Sequence, residues 1–263
     1  MDLMLNKKVA LVCASSAGIG KSIATSLAKE GVHISIFSRT QSAIEAAAKE
    51  ISVIAKGKVI YNTCDLSRPN DISHIIEYTV TQLGPIDILI NNQGGPEPGN
   101  LDDVTEDQIE TAFTTNIRSV FQLTKLCLPS MKKRRFGRIL NVLSISAKEP
   151  LPGMLLSNTV RPAILGFAKT LATQYAPFGV TINSLLPSAV MTQRALLLTQ
   201  RQARGKRIDT NTALSKSAAS LPIGRLASPE EIAQLAVFLC SPQASYISGT
   251  AIPIDGSASH MLF

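Results

Sequence analysis

The sequence predicts an α/β domain in which a doubly wound parallel sheet of about seven strands carries helices on both faces. Seven short apolar runs alternate with longer stretches rich in Ala, Leu, Lys and Glu, the rhythm of successive βαβ units. The runs are apolar along nearly their whole length, as strands covered on both faces must be. No repeat or low-complexity linker interrupts the 263 residues, so residues 1–263 are expected to form a single domain with one large core. Hydrophobic residues at 45% and charged ones at 17% suit that core and exclude a disordered chain.

The first run, Val9 to Cys13, leads through Ala14-Ser15-Ser16-Ala17-Gly18-Ile19-Gly20 into a helix expected over Lys21 to Glu30. Gly18 and Gly20 stand where backbone can approach a pyrophosphate, whose charge the free N–H groups of that helix would meet. The second run, His33 to Phe37, ends at Ser38-Arg39. An acid at this place accepts hydrogen bonds from a free ribose 2′-hydroxyl, whereas a guanidinium matches the oxygens of a 2′-phosphate. Arg39 therefore favours NADP(H) over NAD(H).

The third run, Lys58 to Cys64, is followed by Asp65 and Leu66, and the fourth, Ile86 to Ile90, by Asn91-Asn92-Gln93-Gly94-Gly95. A long central helix expected over Thr111 to Lys133 contains Asn116. The fifth run, Arg138 to Leu143, ends on Ser144, and the helix expected over Ser157 to Tyr175 contains Arg161 and Pro162. Pro162 removes an N–H and disfavours helical backbone at Arg161, which is expected to be displaced. The sixth run, Val180 to Leu185, precedes Pro187-Ser188-Ala189-Val190-Met191-Thr192, and the seventh is Ala251 to Ile254. Between these two the chain turns polar, basic and Ser/Thr-rich, which reads as a mobile lid over residues 192–222 and not as a sheet element. Seven basic residues from Arg194 to Arg225 face one acid, Asp209, so this segment supplies six of the seven net positive charges.

On the glycine loop, Asp65, Asn91-Asn92-Gln93-Gly94, Asn116, Asn141-Val142-Leu143-Ser144 and Pro187 to Thr192, the chain resembles the short-chain dehydrogenase/reductase family, with a Rossmann-type fold. Ala14 stands where the family loop has its first glycine. The resemblance implies that Ala14, Ser16, Gly18, Ile19 and Gly20 hold the diphosphate and Arg39, Asp65 and Leu66 the adenosine end. It further implies that Asn92, Gly94, Pro187, Val190 and Thr192 bind the cofactor, with Arg161 where the family Lys holds the nicotinamide ribose. It also implies a catalytic set of Asn116, Ser144 and the positions of Ser157 and Arg161. In the family those last two are a proton-donating Tyr and a Lys. Gly153 and Gly166 to Ala172 hold the register, so Ser157 and Arg161 replace the pair.

A serine hydroxyl is a far weaker acid than a tyrosine phenol, and losing general acid catalysis costs about 10²–10⁴ in rate. Arg161 can bind ribose hydroxyls but stays charged and relays no proton. Lys148 and Glu149, just past Ser144, are the candidate substitutes by sequence proximity, the lysine needing a depressed pKa and the glutamate a raised one. The expected function is an NADP(H)-dependent reductase of a small or acyl-thioester substrate, resembling 3-oxoacyl-acyl-carrier-protein reductases. The alternatives are altered chemistry on the same fold (an enoyl reductase, a dehydratase or a decarboxylase) and a non-catalytic NADP(H)-binding protein.

Cys13, Cys64, Cys127 and Cys240 form no CxxC pair, His33, His74 and His260 show no metal-ligand spacing, and no metal or disulfide is expected. The basic segment has no aromatic residue for stacking, which argues against nucleic acid. No apolar run has the length of a membrane span, so no membrane partner and a cytoplasmic location are expected. The apolar faces of the helices over Thr111 to Lys133 and Ser157 to Tyr175 suggest a homodimer or homotetramer, as the family forms.

Overall fold

A computed structural model describes residues 2–205 and 208–262. All seven apolar runs are strands: β1 Val9–Val12, β2 His33–Ser38, β3 Val59–Thr63, β4 Ile88–Asn92, β5 Gly137–Val142, β6 Val180–Pro187 and β7 Ala251–Ile254. They form one parallel sheet in the order β3-β2-β1-β4-β5-β6-β7. The order reverses between β1 and β4, and at such a switch point the loops beyond the strand ends part to leave a crevice.

Successive strand residues face opposite sides of the sheet, so each strand feeds two cores. Ala10, Val12, Ile88 and Ile90 pack on one side with Ile23 and Leu27 of α1 (Gly18–Lys29), Ile44 and Ile51 of α2 (Gln41–Ile54) and Ile232 and Ala236 of α9 (Pro229–Cys240). Val9, Leu11 and Leu89 pack on the other with Ile72 and Ile75 of α3 (Pro69–Leu83), Leu123 of α5 (Ser119–Arg134) and Ala168 and Ala172 of α6 (Leu155–Tyr175). The four cysteines are buried free thiols in these cores, as their apolar surroundings predict.

Asp87 closes the edge of the second core. Its carboxylate accepts the Val9 N–H at 3.0 Å and pairs with Arg134, whose other nitrogen reaches the Ile86 carbonyl at 2.6 Å. Asp87→Asn keeps the shape and loses the charge, and is expected to lower stability by about 2 kcal/mol. A Tm lower by roughly 4–8 °C in thermal unfolding would show this.

Two expectations are corrected. The central helix is not continuous: α4 (Glu106–Phe113) passes into a π-helical turn over Thr114–Arg118 before α5 begins. Thr115 Oγ1 donates to the Thr111 carbonyl at 2.7 Å and Ser119 Oγ to the Thr115 carbonyl at 2.6 Å, and such back-bonding competes with the regular ladder. Pro162 does not break its helix either, because α6 runs unbroken from Leu155 to Tyr175. The segment after β6 contains two helices, α7 (Gln193–Gly205) and α8 (Thr210–Ala219), with Asp209 capping the second through the Thr212 N–H at 2.9 Å. Lys206, Arg207 and the side chain of Arg201, part of the expected basic lid, lie outside the described residues.

Candidate active site

The loop between β1 and α1 is shaped by contacts that tolerate no extra atoms. A Cβ on Gly20 would fall 2.6 Å from both the Ala14 carbonyl oxygen and Asn92 Nδ2, while Asn92 donates to the Cys13 and Ala14 carbonyls at 3.2 and 3.3 Å. Gly18 takes a left-handed φ of +59° and lies against Thr192, whose Cγ2 would be 3.3 Å from an added Cβ. The N-cap residue, Ala17, makes no side-chain cap and no acid sits in the first turn of α1, so its N–H groups suit an anion.

Ala14 has φ +46°, the left-handed conformation that glycine adopts without strain. The αL penalty on a Cβ is about 1–2 kcal/mol, partly offset by the entropy a glycine loses. Ala14→Gly is therefore expected to stabilise the protein by about 0.5–1 kcal/mol, read as a higher denaturation midpoint.

A cleft of about 420 Å³ opens beyond the strand ends at the switch point. Ala14, Ser16, Ser38, Arg39, Asp65 and Leu66 line it from the β1 to β3 side, and Gln93, Gly94, Gly95, Asn116 and Arg194 from the β4 side. Burial raises the pKa of Asp65, but hydrogen bonds from the Ser67 N–H and hydroxyl and the nearby Arg39 and Arg68 outweigh it and hold the carboxyl below its usual value. Asn116 donates to the Ala112 carbonyl at 3.2 Å within the π-helical stretch.

Ser144, Ser157 and Arg161 are not among the residues lining this cleft but are linked to one another, and Arg161 reaches its wall, with Nη2 3.1 Å from where a Cβ on Gly95 would stand. Ser144 Oγ accepts the Ser146 N–H at 3.2 Å, the Ser146 and Ser157 hydroxyls lie 2.9 Å apart, and Arg161 Nε donates to Ser157 Oγ at 2.9 Å. Ser157 is 2% exposed and Arg161 9%. Burial first, and the nearby positive charge of Arg194 second, push the Arg161 guanidinium down to about 10, so it remains a cation at neutral pH. Pro162 shifts nothing here, since α6 carries Ser157 and Arg161 one turn apart on one face.

Pro187 ends β6, Val190 is bridged to Ala227, and Thr192 caps α7 by accepting the Ala195 N–H at 3.1 Å. Together these bring Thr192 to the glycine loop. Lys148 and Glu149 do not reach the cleft: Lys148 is exposed, and Glu149 Oε2 accepts the His260 N–H at 2.9 Å. Sequence reasoning left Gly95 and Arg194 out of the site. Arg194 Nη2 donates to the Gly95 and Pro96 carbonyls at 2.6 and 3.1 Å, a contact across 99 residues that no local pattern announces.

A parallel sheet in this order, with a glycine turn entering α1 at the switch point, defines an α/β protein of the dinucleotide-binding class. The family model described as enoyl-(acyl carrier protein) reductase matches residues 13–258. Dehydrogenase/reductase SDR family member 4 of Sus scrofa is 33% identical over 260 residues, 98% of this chain and 89% of the relative. The 3-oxoacyl-acyl-carrier-protein reductase FabG of Vibrio cholerae is 31% identical over 252 residues, 96% of this chain and 97% of the relative. L-sorbose reductase from Gluconobacter frateurii, solved with NADPH and L-sorbose, superposes with a TM-score of 0.95 at 30% identity over 100% of both chains. The chain belongs to the short-chain dehydrogenase/reductase family of oxidoreductases.

Proposed function

We propose that this protein is an NADP(H)-dependent reductase acting on a carbonyl, or a group conjugated to one, of a small or acyl-thioester substrate. The observation that carries this reading is Arg39 in one cleft with the glycine turn, at the strand end where an acid would select the free 2′-hydroxyl. The residues present fit the dinucleotide. Ala14, Ser16, Gly18, Ile19 and Gly20 would hold the diphosphate against the uncapped N-terminus of α1, and Arg39, Asp65 and Leu66 the adenosine and its 2′-phosphate. Asn92, Gly94, Pro187, Val190 and Thr192 would flank the nicotinamide end, with Arg161 toward the ribose. NADPH-bound relatives of the same fold support the choice of cofactor.

The bound cofactor supplies a hydride to the substrate carbon, and the matching proton must reach the oxygen. Ser144 Oγ already accepts from the Ser146 N–H, which leaves its own O–H to donate to a carbonyl oxygen and polarise it. Ser157 and Arg161 stand where the family has its Tyr and Lys. The Ser157 hydroxyl is held between Ser146 and Arg161 and is too weak an acid to protonate an alkoxide directly. Water is then the proton source, and Asn116 on its π-helical turn lines the approach from the cleft.

That same serine favours one second reading. Hydride addition to an alkene conjugated to a carbonyl gives an enolate, which Ser144 can hold while water protonates carbon, and no acid of phenol strength is required. The exposed Phe121 ring, stacked 3.8 Å from the half-buried Phe167 between α5 and α6, supports the reading of a subunit interface on that face.

Loss of nicotinamide absorbance, followed with a panel of 3-oxoacyl thioesters, ketones, quinones and enones, tests the proposal. Turnover of ketones or thioesters is the expected result, and turnover of enones alone selects the second reading. Tight NADPH binding with no turnover of any class would overturn both in favour of a non-catalytic binding protein.

A further inference from the structure

Arg161 is a nine-tenths buried guanidinium, and its only hydrogen-bonding partner among the described side chains is the neutral Ser157 hydroxyl. A buried cation normally has a paired anion, because leaving it alone forfeits its hydration without return. Here the charge acting on it is that of another cation, Arg194. A point one bond from Gly95, where a Cβ would stand, is 3.1 Å from Arg161 Nη2, 3.8 Å from Arg194 Nη2 and 4.0 Å from Arg194 Nε. Asp65 and Asp107 line the cleft, yet neither makes an ion pair with these guanidiniums.

A third free donor lines the same cleft. Gln93, 9% exposed and on the cleft wall two residues before Gly95, has an Nε2 with no hydrogen-bond partner. A Cβ on Gly94 would meet nothing within 4 Å, so the space beside these donors is open. Arg194 Nη2 is already taken by the Gly95 and Pro96 carbonyls, but the outer nitrogens of Arg161, the other nitrogens of Arg194 and the Gln93 amide N–H₂ remain as donors, the complement of a planar oxyanion. The phosphates of the dinucleotide are assigned to the glycine turn and Arg39, so the anion at Gly95 comes from another molecule.

We propose that Gln93, Arg161 and Arg194 form a subsite for the carboxylate of the substrate, making the substrate a small oxo acid or unsaturated acid. The inference rests on the reductase reading for its claim about turnover, and on the donor geometry alone for its claim about binding. The position also gives Arg161 a purpose that the family Lys does not have. The guanidinium anchors the substrate from the place where a proton-relaying amine would otherwise stand.

The test is calorimetric titration of the protein, with and without NADPH, using pyruvate and phenylpyruvate and their methyl esters. The acids are expected to bind at least tenfold more tightly than the esters. Arg194→Ala is expected to lose at least tenfold in acid affinity while binding of the methyl esters changes by less than about threefold. Gly95→Ala, which puts a methyl group into the cradle while leaving both charges in place, should do the same and guards against a lid disturbed by the first variant. Equal binding of acid and ester, no acid binding in either state, or acid binding unchanged in both variants would overturn the subsite. Acid binding by a protein that fails to bind NADPH would leave the subsite standing and remove the reductase reading instead.

Discussion

Arg39→Ala is expected to weaken NADPH binding by roughly 10- to 150-fold and NADH binding by less than about threefold, because only the former presents a 2′-phosphate to the guanidinium. The asymmetry follows from position. Arg39 is exposed at the end of β2 and lines the cleft, so its removal leaves no buried hole and the two affinities can be compared on a folded protein. Charge-assisted bidentate bonds contribute about 1.5–3 kcal/mol, which is the source of the expected factor. Paired titrations of both dinucleotides measure it. Equal losses would remove the ground for preferring the phosphorylated cofactor.

The double change Ser157→Tyr with Arg161→Lys is expected to raise reduction of neutral ketones at least tenfold, since it returns a phenol acid and an amine beside Ser144. The unbroken α6 is what makes this gain attainable, as Pro162 leaves positions 157 and 161 one turn apart on the same face. Ser157→Tyr alone is expected to gain less and to lose stability, because the serine is 2% exposed and the full-length Arg161 leaves a larger side chain no room. Steady-state rates with a simple ketone, measured beside thermal unfolding of each variant, separate the two effects. A double variant that folds and gains nothing would show that the missing acid is not what limits carbonyl chemistry here.

The strands were legible because burial on both faces leaves an apolar signature that local polarity cannot disguise, as in Val9 to Cys13 and Ile86 to Ile90. The π-helical turn at Asn116 was not, since it arises from side chains of Thr115 and Ser119 folding back onto the helix, which apolar periodicity does not record. The segment read as a lid alone because α8 carries little apolar periodicity and α7, though amphipathic, is polar overall. Lys148 and Glu149 looked close to Ser144 along the chain, but the backbone N–H of His260, 111 residues away, claims the glutamate. The burial of Arg161 ran against the ordinary preference of arginine for the surface, and only the packed fold showed it facing Arg194 across Gly95.

The measurement that bears most directly on the central claim is calorimetric titration of the purified protein with NADPH and, separately, with NADH. NADPH is expected to bind in the micromolar range or tighter, and NADH at least tenfold more weakly. No binding of either dinucleotide would contradict that claim, and tighter binding of NADH would contradict the role given to Arg39.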